Sequence, residues 1–141
     1  MENNVRQFIV TSSSRVQVNA LMKILFKDIN PFEFFIASED VNLHKPNPAP
    51  YLKAISLSGI DNRNSIVFED SVPGVISALS SNLPTIAIQS NIPVKFENNI
   101  DLKMLVNTLG DDEQLTEIIL GKKISNGIVT YDFLNKFLRI N

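Results

Sequence analysis

Cysteine is missing from this 141-residue chain, and histidine occurs once, at His44. The first absence excludes a disulfide framework, a thiolate metal site and a cysteine nucleophile. With one imidazole a multi-histidine metal site is excluded too, so any metal would need oxygen ligands. No apolar run approaches the roughly 18 residues that span a bilayer, and Met1-Glu2-Asn3-Asn4 has neither the basic nor the apolar region of a signal peptide. The expectation is a cytoplasmic protein, with which the lack of thiols is compatible. Basic charge is not in excess either: 13 Lys and Arg face 15 Asp and Glu, a net charge of -2. No basic field is available to hold nucleic acid or an anionic membrane by charge alone, so any phosphate it binds must be held locally. What remains is 44% hydrophobic and 20% charged, enough for one domain burying about two-thirds of its unfolded surface.

Along the chain, strands alternate with helices. Phe8-Ile9-Val10 reads as a strand that stops at Thr11-Ser12-Ser13-Ser14, where the small hydroxyls suit a helix N-cap. A helix is expected over Arg15–Phe26, with Val18, Leu21, Met22 and Leu25 on one face, closed by Asn30-Pro31. Phe32 to Ile36 reads as a second strand, and Ala37 to Pro50, with three prolines, as an ordered loop. Tyr51 to Ile55 continues as a helix ended by Ser58-Gly59, and Ile66-Val67-Phe68 as a third strand. Ser71 and Pro73 open another helix through Leu79, and Pro84 to Ile88 forms a fourth strand. Beyond it, Asn91 to Asn99 reads as a loop, Leu102 to Leu109 as a short helix, and Thr130 as the cap of a terminal helix containing Phe133, Phe137 and Leu138. Such alternation indicates an α/β fold with a doubly wound parallel sheet, whose ligand lies beyond the carboxyl ends of the strands. Phe8, Phe34, Phe35 and Phe68 are expected in the core.

Three features then fall in chain order: hydroxyls after the first strand, a lysine among prolines, and an acidic pair after the third strand. Phosphoryl chemistry needs hydroxyl and N–H donors, a fixed cation, and carboxylates that hold magnesium, because its transition state is stabilised by positioning and charge neutralisation. Thr11, with Ser12 behind it, can donate to a phosphate oxygen at a strand-to-helix turn. Lys45, in HKPNPAPY, can neutralise the phosphate from a loop stiffened by Pro46 and Pro48. Glu69 and Asp70, ending SIVFED, can share Mg2+ directly or through its water shell. Taken singly, each feature has an ordinary structural explanation: helix caps for the hydroxyls and for Asp70 or Ser71, a solvated charge for Lys45, an exposed loop residue for His44.

Together, FIVTSSSR, HKPNPAPYLKA and IVFEDSVPGVISAL resemble motifs II, III and IV of the haloacid dehalogenase superfamily, within its β-phosphoglucomutase-like and CbbY-like subgroup. The resemblance covers about the first 90 residues. It implies that Thr11 is the phosphate-binding hydroxyl, with Ser12 the alternative, that Lys45 is the motif III lysine, and that Glu69 and Asp70 are magnesium ligands. Ser71 and Gly74 match positions of backbone or hydroxyl support. The implied fold is a Rossmann-like core, and the implied reaction a Mg-dependent phosphatase or phosphomutase reaction on a sugar phosphate through a phosphorylated aspartate.

Motif I, which supplies that aspartate, is not in these residues, and neither is the cap; LGDDEQ, with Asp111 and Asp112, follows no convincing apolar strand. In the family the motif I strand lies between the strands that here end at Thr11 and Asp70. Residues 1–141 are therefore expected to form a partial core domain, with the motifs in 1–90 and a helical segment over 91–141. An upstream segment or a second chain would supply motif I, and the chain alone is expected to lack turnover and to be marginally stable. Two alternatives stay open: an inactive module that binds phosphate and Mg2+, and a receiver or flavodoxin-like domain. Motif order argues against a receiver, which has its acidic pair early and its lysine late.

Overall fold

Residues 4–27, 29–89 and 101–139 are described by the computed structural model, so the loop expected over Asn91–Asn99 lies outside them. The chain opens with β1 (Phe8–Val10), α1 (Arg15–Phe26) and β2 (Phe34–Ile36). β1 and β2 pair in parallel, Phe8 opposite Phe34 and Val10 opposite Ile36. Ser14 caps α1 in a capping box: its hydroxyl accepts from the Gln17 N–H at 3.3 Å, and the Gln17 side chain accepts from the Ser14 N–H at 2.8 Å. Of the expected helix face only Val18 is buried and Met22 partly so, whereas Leu21 and Leu25 are 54% and 60% exposed. A sheet of two strands is only about 10 Å wide, so α1 finds support along one narrow stripe.

The segment after β2 turns once through a short 3-10 helix (Ser38–Asp40) before α2 (Ala49–Ser58) begins two residues earlier than expected. Pro50 is tolerated because it sits in the first turn, where backbone N–H groups have no intrahelical partner. Gly59 ends α2 at φ 67°, its N–H donating to the Ile55 carbonyl at 3.0 Å.

A second sheet follows, built from β3 (Val67–Glu69), β4 (Thr85–Ile88), β5 (Met104–Val106) and β6 (Ile118–Leu120) in that spatial order. The first three strands are parallel and β6 is antiparallel. α3 (Val72–Ser80) connects β3 to β4, and α4 (Tyr131–Leu138) closes the chain with Thr130 as its N-cap, as the sequence predicts. Leu102 to Leu109 does not form the expected helix: its centre is β5, with Met104, Leu105 and Val106 all buried. The stretch is apolar on successive residues because the strand is covered on both faces, and such a run carries no period that separates strand from helix. Strands β5 and β6 likewise replace much of the helical segment expected over 91–141. Ile86, Met104, Val106 and Phe137 of α4 form one core cluster.

The result is a mixed α/β fold with parallel strands, as expected, but split into two sheets. Among the described residues, β1 pairs only with β2, and β3 only with β4. α2 bridges the division, placing Tyr51 against Val67, Ala78 and Leu83, with Val10 and Ile55 packed alongside.

Candidate functional site

The carboxyl ends of β1 and β3 are joined by one side chain. Lys45 donates from Nζ to the Val10 carbonyl at 2.9 Å and forms an ion pair with Glu69 Oε1. The Lys45 and Glu69 side chains are only 9% and 6% exposed, so this is a buried pair. Tyr51 adds its hydroxyl, which donates to the same Glu69 oxygen and stands 3.4 Å from Lys45 Nζ. Burial first, and then the negative charge of Glu69, push the Tyr51 phenol well above its ordinary pKa.

Local structure explains why these groups meet. The lysine loop is held by α3 and its C-cap: Ser77 Oγ donates to the Asn47 carbonyl at 2.6 Å, and Ser81 Oγ to the Pro48 carbonyl at 3.2 Å. Both serines are fully or nearly fully buried, so these bonds satisfy groups that no water reaches. At the start of α3, Ser71 Oγ accepts from the Gly74 N–H at 3.2 Å and lies 3.4 Å from Glu69 Oε2. The Glu69 carboxylate rests directly on Gly74, where a Cβ would stand 1.8 Å from Oε2. Only glycine leaves room for it.

The structure thus brings together Lys45, Glu69 and the Val10 carbonyl, one residue before Thr11. Thr11 is partly buried and its N–H continues the pairing with β2, donating to the Ile36 carbonyl at 2.9 Å. Its hydroxyl accepts from the Ser13 N–H at 3.1 Å. Ser12 is exposed on the same turn, and Asp70 is exposed one residue beyond Glu69; His44 is exposed, as the sequence suggests. The acidic pair therefore has unequal members, Glu69 turned inward to a lysine and a phenol, and Asp70 outward. No group of three or more metal-ligating side chains occurs among the described residues. Two adjacent oxygen-bearing residues are still compatible with magnesium, which takes one or two carboxylates and fills its remaining positions with water and phosphate.

Tyr51 was legible only as a helix residue. Its signal was indirect: a buried tyrosine needs a partner for its hydroxyl, and Tyr51 finds that partner in Glu69, 18 residues further along the chain. Ser71 and Gly74, matched in sequence to positions of support, lie at the start of α3 beside the Glu69 carboxylate.

Between β1 and β3 runs a cleft of about 330 Å³, lined by Phe8, Val10, Tyr51, Ala54, Val67 and Phe68 among others. Thr11 and Val67 direct their N–H groups to the neighbouring strands β2 and β4. Because strand groups alternate in direction, the backbone groups of Phe8, Val10 and Phe68 face the cleft instead. Phe68 is 39% exposed, and Phe8, Phe34 and Phe35 are only partly buried, which corrects the expectation of core positions. Phe8 and Phe68 each flank an edge that no described strand covers.

Comparison with known proteins gives consistent results. A family model described as haloacid dehalogenase-like hydrolase matches residues 1–88. Hexitol phosphatase A of Escherichia coli is 33% identical over 94 residues, which cover 67% of this chain and 43% of that protein. Among solved structures, CbbY from Rhodobacter sphaeroides in complex with phosphate superposes with a TM-score of 0.66 at 22% identity, over 74% of this chain and 47% of that one. A phosphatase of the same superfamily from Thermococcus onnurineus superposes with a TM-score of 0.59 at 26% identity, over 72% and 46%. The chain spans less than half the length of the curated relatives it matches.

Proposed function

Since the chain belongs to the haloacid dehalogenase-like hydrolases, we propose that it is the carboxyl-terminal core portion of a magnesium-dependent phosphatase or phosphomutase. Its substrate is a small phosphorylated metabolite of the sugar-phosphate kind, a class neighbouring the hexitol phosphate for which its relative hexitol phosphatase A is named, and its setting is the cytoplasm. The reaction passes through an aspartyl phosphate whose nucleophile lies outside these 141 residues. One observation carries the reading: the buried Lys45 ammonium joins the carboxyl end of β1, at Val10, to the acidic end of β3, at Glu69. That is where an open parallel sheet presents its ligand.

In this reading Thr11, with Ser12 beside it, donates to phosphate oxygens, and Lys45 neutralises their charge. Asp70, with Glu69 behind it, would hold magnesium, which when bound supplies further charge neutralisation at the phosphoryl group. The cleft between β1 and β3 receives the aspartate-bearing strand. Strand groups facing it on both walls would pair with that strand, and its carboxyl end would emerge beside Lys45.

The test is complementation. A fragment carrying an apolar strand followed by the paired aspartates of motif I is mixed with this chain, and p-nitrophenyl phosphate hydrolysis is followed with and without Mg2+. Metal-dependent turnover that needs both pieces is expected. Association without turnover at any ratio would overturn the enzymatic reading and favour a phosphate-binding module.

A further inference from the structure

The two groups of the buried ion pair are both touched by a third residue to which the phosphatase reading assigns no part. An ammonium has three N–H donors. At Lys45 one points to the Val10 carbonyl and one to Glu69 Oε1, while the Tyr51 oxygen is 3.4 Å away, at the limit of a hydrogen bond. The Tyr51 ring also stands beside the ammonium, its centroid 5.0 Å from Nζ. Oε1 accepts from Lys45 and from the Tyr51 hydroxyl together. A carboxylate held by lysine alone competes directly with any anion for that lysine. A second donor on the same oxygen takes up part of its charge and fixes its direction. We infer that Tyr51 is a positioning residue: its hydroxyl shares Glu69 with Lys45, which keeps the ammonium at the end of the cleft, where an incoming phosphate can take over the donor that now makes only the long 3.4 Å contact to the Tyr51 oxygen.

This inference rests on the phosphate-site reading above but is decided by a separate observable. Tyr51→Phe removes the hydroxyl and keeps the ring, so packing and the ring contact survive. The chain is labelled with 15N-lysine, the Lys45 ammonium resonance is followed by NMR at low temperature, and inorganic phosphate is titrated in. In Tyr51→Phe the Lys45 signal is expected to move and broaden, and half-saturation by phosphate to rise about tenfold, the size of losing one hydrogen bond to a charged group. An unchanged Lys45 signal and an unchanged phosphate midpoint, with only a lower melting temperature, would overturn the inference and leave Tyr51 a packing residue. If phosphate moves no Lys45 signal even in the unsubstituted chain, the phosphate-site reading fails. The comparison of Lys45 between the two chains still decides what Tyr51 does.

A second perturbation covers the case in which the phenylalanine variant does not fold. Replacing both tyrosines, Tyr51 and Tyr131, with 3-fluorotyrosine keeps ring and hydroxyl and makes each hydroxyl a stronger donor. Tyr131 is 42% exposed and serves as the internal reference. A displaced Lys45 ammonium signal and a lower phosphate midpoint support the inference; no change in either overturns it.

Discussion

Gly74→Ala sets two effects against each other, and the structure says which wins. Alanine is intrinsically the better helix former by roughly 1 kcal/mol, so helix propensity alone predicts that the substitution stabilises α3. The added methyl group, however, would stand 1.8 Å from Glu69 Oε2, 2.2 Å from Cδ and 2.5 Å from Oε1. The carboxylate must leave, and with it go the ion pair to Lys45 and the bond from Tyr51. Breaking a buried pair costs about 3–5 kcal/mol. Part of that is recovered as Glu69 turns toward water and part by the propensity gain, which leaves a loss of about 2–3 kcal/mol. For a domain of this size that corresponds to roughly 6–10 °C in Tm. Urea and thermal unfolding of the two chains measure it, and a double-mutant cycle identifies the cause: in a Glu69→Ala background, Gly74→Ala should be neutral or stabilising. Gly74→Ala as stable as the parent, or equally destabilising with and without Glu69, would refute the reasoning.

Lys45→Met keeps most of the aliphatic stem but leaves the Glu69 carboxylate buried with only neutral donors, so a loss of about 3–5 kcal/mol is expected in urea unfolding; Lys45→Met with Glu69→Gln should recover most of it. Ser14→Ala removes one half of the capping box on α1 and should lower stability by about 1 kcal/mol, read from the unfolding midpoint, with little effect at the Lys45 cluster. Asp61 has its carboxyl lowered to about 2, first by the Arg63 side chain and then by the Arg63 backbone N–H. A depressed carboxyl stabilises the fold above its unfolded pKa near 4, and that contribution fades as pH falls toward 2. An NMR titration should find the Asp61 midpoint near that value, and Arg63→Ala should raise it toward the ordinary range.

Much of the molecule could be read from residue order. The hydroxyl stop after Phe8-Ile9-Val10, the Gly59 cap and the Ser71 and Thr130 caps are local signals, because each depends on backbone groups within one turn of the residue concerned. The alternation of strands and helices through Ile88, the order of the three motifs and the family follow from the sequence in the same way. Tertiary structure decided the rest, since each outcome depends on what lies across space. Met104-Leu105-Val106 became a strand because both its faces are covered. Leu21 and Leu25 stayed exposed because two strands are too narrow to cover the helix face they occupy. The sequence could place a lysine, two acids and a tyrosine on their elements; only the fold could put the Tyr51 and Lys45 donors on one oxygen of Glu69 and show that Gly74 leaves the space for it. Hydrogen bonds between residues 18 and 24 positions apart leave no periodic trace in a chain. They exist because two strand ends and one helix converge on the same few cubic ångströms.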